Sequence, residues 1–260
     1  VAGATLAETI GNVIARTDAV MEAERPDALL VLGDTNSALC VLSAKRRRIP
    51  VFHMEAGNRC FDDRVPEEIN RRVVDHLSDL NLPYTEHARR YLLDEGLKPD
   101  TGTKTGSPPK EVLTYHRDRI DRSDVTERLG VEAGRYFVVS LHREENVDAP
   151  ARLANLVASI NRLVVEHDMP AILSLHPRTR VRLEAAGHEL HPLVRAMAPL
   201  GLPDYVHLQQ HGYCTIPDSG TITEESSILG FPAVTVREAH ERPEGMDVGV
   251  LIMSGGGPDE

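Results

Sequence analysis

The chain of 260 residues is 41% apolar and 27% charged, enough for one large soluble domain or two ordinary ones. No window approaches the ~20 apolar residues of a membrane span, and a net charge of −11 argues against a general nucleic-acid binder, whose partner calls for a basic face. Cys40, Cys60 and Cys214 form no CxxC pair, and residues 1–17 lack the basic start and apolar stretch of a secretory signal, so reduced thiols and a cytoplasmic location are expected.

In chain order, residues 1–24 read as a helix and ALLVL at 28–32 as a buried strand ending at Gly33-Asp34-Thr35. Residues 36–47 look helical. The run KRRRIP at 45–50 favours a capped helix end, where cations suit the dipole, over a phosphate site. IPVFHM at 49–54 is the next strand. Pro66 suits a first helical position, and Ile69, Val73, Leu77 and Leu80 recur at helical spacing over about 66–80. Leu80 to Tyr84 is a short strand, and HARRYLLDEG is a helix stopped by Gly96.

Around 113–124 the apolar period is lost, which predicts a connection between two domains, 1–118 and 119–260. The second series runs through strand 136–141, a long helix over 149–167, strand 171–176, helices near 179–190 and 203–210, and strand 214–217. DSGTITEE opens a further helix ending at Gly230, and strands at 232–236 and 248–253 follow.

Two successive βαβα series predict an α/β protein with two doubly wound parallel sheets. Ligands in such folds sit beyond the carboxyl ends of the strands. Asp34, Glu55, His142, His176, Asp218 and Ser219 all fall just after predicted strands.

Each of these residues has an ordinary alternative. Asp34 suits a helix N-cap, Glu67 suits the first turn of any helix, His142 suits a cap, and a lone His176 suits a structural place. Together they point elsewhere. Asp34 and Glu55 come from consecutive strands, and a helix from Pro66 can bring Glu67 to the same cleft, where neighbouring carboxylates push their pKa values apart and separate acid from base roles. In the second half, DSGTITEES sets small residues at a strand-to-helix turn, where open backbone N–H groups and the helix dipole suit a phosphate. Arg242 and Glu244 in HERPEG can reach a diphosphate or a sugar. Neither HREEN nor EAHERPE has metal-ligand spacing, so no metal is expected.

The ordered motifs GDTNS, HMEAGNR, RVPEEINR, SLHREENVD, DSGTITEESSILGFPAV and ERPEGMD span nearly the whole chain. With them the sequence resembles the non-hydrolysing UDP-N-acetylglucosamine 2-epimerase family. The resemblance implies two Rossmann-like domains of glycosyltransferase-B type with a UDP-sugar between them. It implies inversion at C2 of a UDP-N-acetylhexosamine, interconverting UDP-GlcNAc and UDP-ManNAc with neither metal nor nicotinamide cofactor, and a homodimer. By motif, Asp34, Glu55, Glu67 and His142 match catalytic positions. Arg59, Arg143, Ser219, Gly220, Thr221, Glu225, Arg242 and Glu244 match positions that hold UDP or sugar. The stretches NRCFDDRVPEEINR and HREENVD also look like the branch that forms UDP-N-acetyl-L-fucosamine for capsules and O-antigen from the 6-deoxy-talose precursor.

The chain departs from the family pattern by starting after the usual GTRPE-type loop and stopping after VLIMSGGG, so both domains are expected to lack pieces. Pro217, directly before the DSG turn, stands where the family is more often polar. Two rival readings follow: a UDP-binding relative without catalysis, and a retaining sugar transferase, which the three carboxylates disfavour.

Overall fold

The structure, a computed structural model, describes residues 2–236, 249, 251–254 and 257. Arg242 and Glu244 lie outside the described residues. Two compact units divide between Ser107 and Pro108. This falls upstream of the 118/119 boundary read from the sequence, because Leu113 and Ile120 are buried with Val206 of the second unit.

In the first unit, α1 (Leu6–Glu24) begins at Thr5, whose hydroxyl accepts the Glu8 N–H at 3.1 Å. After β1 (Leu29–Leu32), the single helix expected over 36–47 divides into a 3-10 turn (Asn36–Cys40) and α2 (Val41–Arg46). The Ala38 N–H donates to the Thr35 carbonyl at 2.8 Å, the short-range bond that tightens a first turn. Then come β2 (Val51–Met54), α3 (Pro66–Leu77), β3 (Leu80–Leu82) and α4 (Glu86–Asp94). The strands are parallel in the order β1-β2-β3, with Leu32 opposite Met54 and Met54 opposite Leu82. That register brings the carboxyl ends of all three to one edge. Met21 of α1, Val41 and Ala44 of α2 and Val74 of α3 close on Val31 and Val51 to form the core.

The second unit opens with three short helices, α5 (Pro109–Tyr115), α6 (Arg117–Asp121) and α7 (Val125–Leu129), where the sequence suggests a plain connection. It continues with β4 (Phe137–Leu141), α8 (Glu144–Val147), α9 (Pro150–His167), β5 (Ala171–Leu175) and α10 (Pro177–Ala186). Next are β6 (Val194–Met197), α11 (Leu202–His211), β7 (Cys214–Pro217), α12 (Ile222–Leu229), β8 (Ala233–Val236) and β9 (Leu251–Ser254). β6 is absent from the sequence reading. It is an edge strand with Val194 buried but Arg195 and Ala196 exposed, so it lacks the apolar run of its neighbours.

The sheet order is β6-β5-β4-β7-β8-β9, every named pair parallel. Counted by appearance this is 3-2-1-4-5-6, the Rossmann order, whose direction reverses between β4 and β7. Alternate residues of β4 explain the two layers of helix. Phe137, Val139 and Leu141 pack on Leu153, Leu156, Val157, Ile160 and Val164 of α9. Tyr136 and Val138 pack on the other face with Leu208 of α11 and Val125 of α7. Each of the α9 side chains contributes roughly 1.5–3 kcal/mol by leaving water. Among the described residues no helix is long and apolar enough to cross a membrane.

Candidate active site

In the first unit the register places Asp34 and Glu55 on adjacent turns at the same sheet edge. The two turns are tied together: the Gly33 N–H donates to the Met54 carbonyl at 3.2 Å. Glu55 itself adopts φ 68°, in the left-handed region that a residue with a Cβ enters at a cost of order 1–3 kcal/mol. Its Oε1 accepts a long bond, 3.4 Å, from Asn58 Nδ2. Two residues on, Gly57 has φ 81°, and a Cβ there would stand 2.3 Å from the Ala88 carbonyl oxygen. Only glycine lets the turn pass so close to α4.

α3 is docked on the Asp34 turn through Arg71 and Asn70. Arg71 Nε donates to Asp34 Oδ2 at 2.8 Å, and Asn70 Nδ2 donates to Asn36 Oδ1 at 3.0 Å. Glu67 precedes Asn70 and Arg71 by three and four residues, so it shares their side of the helix. It is half-buried.

Its neighbour Glu68 has a different task. Glu68 is wholly buried and accepts from the Cys60 and Phe61 N–H groups at 3.0 and 3.2 Å, from Arg71 at 3.0 Å and from Arg72 at 3.0 Å. Burial opposes its charge, but the Cys60 N–H and thiol with Arg71 and Arg72 outweigh that and hold its carboxyl below the ordinary range. The paired carboxylates of RVPEE thus divide the work: Glu68 fastens the 60–61 loop, and Glu67 stays at the edge.

Arg59 belongs to that buried framework and not to the open surface that a substrate-binding role requires of it. It is 1% exposed, and its guanidinium donates to Glu95 at 2.7 and 2.6 Å, to Asp75 at 2.7 Å and to the Asn58 carbonyl at 2.7 Å. Sequence reasoning overlooked Asp75, Glu95 and His53 as well. The signal available was a His on a buried strand and an Asp on the inner side of α3.

In the second unit the switch between β4 and β7 carries the candidate anion site. Asp218 follows β7 and has no exposed surface. Its Oδ2 accepts the backbone N–H groups of His142 and Arg143, each at 2.9 Å, and the Asn146 amide at 3.1 Å. His142 Nδ1 stands 2.9 Å from Oδ1. Burial works against the charged carboxylate, but the His142 imidazole, the Arg143 N–H and the Asn146 amide prevail and keep its pKa below the usual value. Asp218 therefore locks the end of β4 to the end of β7 while leaving the His142 ring 45% exposed.

Ser219, Gly220 and Thr221 follow directly and lead into α12. Ser219 Oγ lies 2.9 Å from Thr221 Oγ1, and the Thr221 N–H donates back to Ser219 Oγ at 3.3 Å. Glu225, one turn along, is held at both oxygens, by Thr221 Oγ1 at 2.8 Å and Gln209 Nε2 at 2.9 Å. Ser140, His142, Tyr205, Ser219, Thr221 and Glu225 line a cavity of about 240 Å³. A larger, mainly apolar cavity of about 610 Å³ lies along the sheet face beside α9, away from these groups. The smaller one has the chemistry. Pro217 ends β7, where its missing N–H breaks no described pairing, and its carbonyl accepts the Thr235 hydroxyl at 3.1 Å.

The entire chain, residues 1–260, matches the family model described as UDP-N-acetylglucosamine 2-epimerase. The UDP-N-acetylglucosamine 2-epimerase of Methanocaldococcus jannaschii is 33% identical over 259 residues, covering 96% of this chain and 71% of that protein. Its crystal structure in complex with UDP-GlcNAc and UDP matches 99% of this chain and 73% of its own, with a TM-score of 0.91 at 32% identity. The UDP-N-acetylglucosamine 2-epimerase structure from Rickettsia bellii is 49% identical, covering 100% of this chain and 69% of its own with a TM-score of 0.89. The UDP-2,3-diacetamido-2,3-dideoxy-D-glucuronate 2-epimerase of Pseudomonas aeruginosa is 32% identical over 261 residues, 99% of this chain and 72% of that protein.

Proposed function

Because the chain belongs to the UDP-N-acetylglucosamine 2-epimerase family, whose members are isomerases, we propose that it inverts C2 of a UDP-N-acetylhexosamine by eliminating and re-adding UDP. A carboxylate removes the proton on C2. The C–H electron pair becomes the C1–C2 double bond, and the C1–O bond breaks with UDP taking its electrons. The 2-acetamidoglucal so formed then accepts a proton at C2 from the opposite face, and a phosphate oxygen of UDP re-forms the bond to C1. Nothing is consumed, and the two hexosamine epimers interconvert.

The observation that carries this reading is the Asp218 lock, which sets an exposed imidazole beside the Ser219–Thr221 turn at the switch point of the second sheet. A departing diphosphate gains negative charge, and a helix N-terminus with an imidazole beside it stabilises it. His142, Arg143, Ser219, Gly220 and Thr221 take the diphosphate in this proposal, and Glu225 the ribose hydroxyls. Asp34, Glu55 and Glu67 supply the proton transfers.

Incubation with UDP-GlcNAc in D2O tests it. Deuterium is expected at C2 of both epimers. Intact UDP binding with no exchange would convert the reading to that of a nucleotide binder.

A second substrate, UDP-2-acetamido-2,6-dideoxy-L-talose, is favoured by the NRCFDDRVPEEINR and HREENVD stretches. The C2 chemistry is the same, so kcat/KM for the two nucleotide sugars measured side by side decides between them.

A further inference from the structure

We propose that His53 is a positioning residue for this reaction, an imidazole protonated on both nitrogens that fastens together the turns bearing Asp34 and Glu55; the reaction assigned to those turns rests on the function proposed above. His53 lies in β2 with no exposed surface, so its ring meets protein alone. Nε2 stands 3.0 Å from the Gly33 carbonyl oxygen and Nδ1 stands 2.8 Å from Asp75 Oδ1. A carbonyl oxygen only accepts, so Nε2 carries a proton. Asp75 already receives the Arg59 guanidinium at 2.7 Å and the Gly57 N–H at 3.2 Å, the surroundings of an ionised carboxylate. Nδ1 therefore donates as well.

The local charges agree. Arg59 bridges Asp75 and Glu95, one cation between two anions. A doubly protonated His53 makes the group two and two, which matters where Arg59, Asp75 and His53 side chains are all withdrawn from water. His76 of α3 faces Glu95 at 3.2 Å from the solvent side, nearly half exposed.

The place of this imidazole gives it a task beyond stability. Gly33 immediately precedes Asp34, and Glu55 follows His53 by two residues. Both Gly33, at φ 73°, and Glu55, at φ 68°, leave their strands through the left-handed region. The Nε2 bond to the Gly33 carbonyl thus acts at the point where the Asp34 turn departs from the sheet. Asp75, on the other nitrogen, also holds the Gly57 N–H, just beyond Glu55. One buried ring and its carboxylate therefore grip the backbone just before Asp34 and just beyond Glu55. Misplacing such groups by an ångström costs about 100-fold in rate.

Two measurements test this. Nitrogen-15 NMR of the unsubstituted protein at about pH 8, where a solvated imidazole keeps one ring proton, is expected to show two ring N–H protons on His53. A single N–H on that ring would overturn the proposal, and because no substitution is made, folding of a variant does not enter. In the His53→Gln variant, whose side-chain amide cannot donate in both directions, C2 deuterium exchange is expected to fall about 100-fold in kcat with KM and UDP affinity unchanged. Wild-type turnover in the folded variant would overturn it. An unsubstituted protein inactive toward every UDP-N-acetylhexosamine would instead remove the proposed function, while the NMR result still decides the state of the ring.

Discussion

His142 and Asp218 are joined twice: the backbone N–H of His142 donates to one carboxylate oxygen at 2.9 Å, and its ring Nδ1 stands 2.9 Å from the other. An exposed ring is in this way fixed by a carboxylate that is wholly buried. Asp218→Asn replaces an acceptor by a donor facing the N–H groups of the β4 end. The expected cost is about 2 kcal/mol of unfolding free energy, as for other buried groups that lose their partner, and UDP affinity falls about tenfold. Chemical denaturation and calorimetric titration measure the two.

The same pair sets an acid limb. The folded-state pKa of Asp218 lies below its ordinary value, as does that of Glu68. A carboxyl whose pKa is depressed by folding stabilises the native state fully above the unfolded value of about 3.9–4.3. That contribution drains away as pH falls through the lower folded value. The thermal midpoint is therefore expected to hold from neutrality to about pH 5 and to drop steeply below about pH 4. In Asp218→Asn the drop is shallower, since one of the titrating groups is gone.

Glu55 separates stability from turnover. Its side chain is placed by a backbone conformation that glycine adopts freely. Glu55→Gly is expected to keep the unfolding free energy within about 1 kcal/mol of the parent, or raise it, while abolishing C2 exchange. Glu55→Gln keeps the shape and removes the base, so turnover falls by orders of magnitude with UDP affinity nearly unchanged. A Glu55→Gln protein that still exchanges C2 at the parental rate would take Glu55 out of the mechanism.

Gly57 permits no such exchange. A methyl there meets the Ala88 carbonyl oxygen at 2.3 Å in a backbone region that alanine avoids. Gly57→Ala is expected to lose about 3 kcal/mol or more, combining overpacking with backbone strain. Urea titration gives the figure, and a loss under about 1 kcal/mol would mean that α4 yields easily.

The strands were readable because buried parallel strands are continuous apolar runs: FVVSL and AILSL need no tertiary information, whereas LLVL, read as a buried strand, is a strand in which only Val31 is buried and Leu30 and Leu32 are exposed. The carboxyl-end rule then located Asp34, Glu55, His142 and Ser219 without coordinates. What the sequence hid was the difference between adjacent charges. Glu67 and Glu68 are chemically equal, and only the packing of the 60–61 loop sends one inward. Arg59, matched by motif to a position that holds UDP or sugar, gave no sign of its burial because its two carboxylate partners come from α3 and from beyond α4, 16 and 36 residues away. β6 and the helices α5 and α6 escaped for the opposite reason, since their few apolar residues find partners only in the finished second unit.

Adjacent strands that run the same way cannot be closed by a hairpin, and β4 meets β7 only after the chain from Leu141 has travelled through two other strands and four helices to return at Cys214. The donors that Asp218 collects lie 72 to 76 residues from it in sequence. Peptides cut from 137–147 or 214–229 would therefore hold no nucleotide, and grafting the DSGT turn onto another scaffold would transfer the loop without its grip. Capture on a UDP matrix becomes a reporter of completed topology, retaining chains whose second sheet has closed and passing over those that carry only its local pieces.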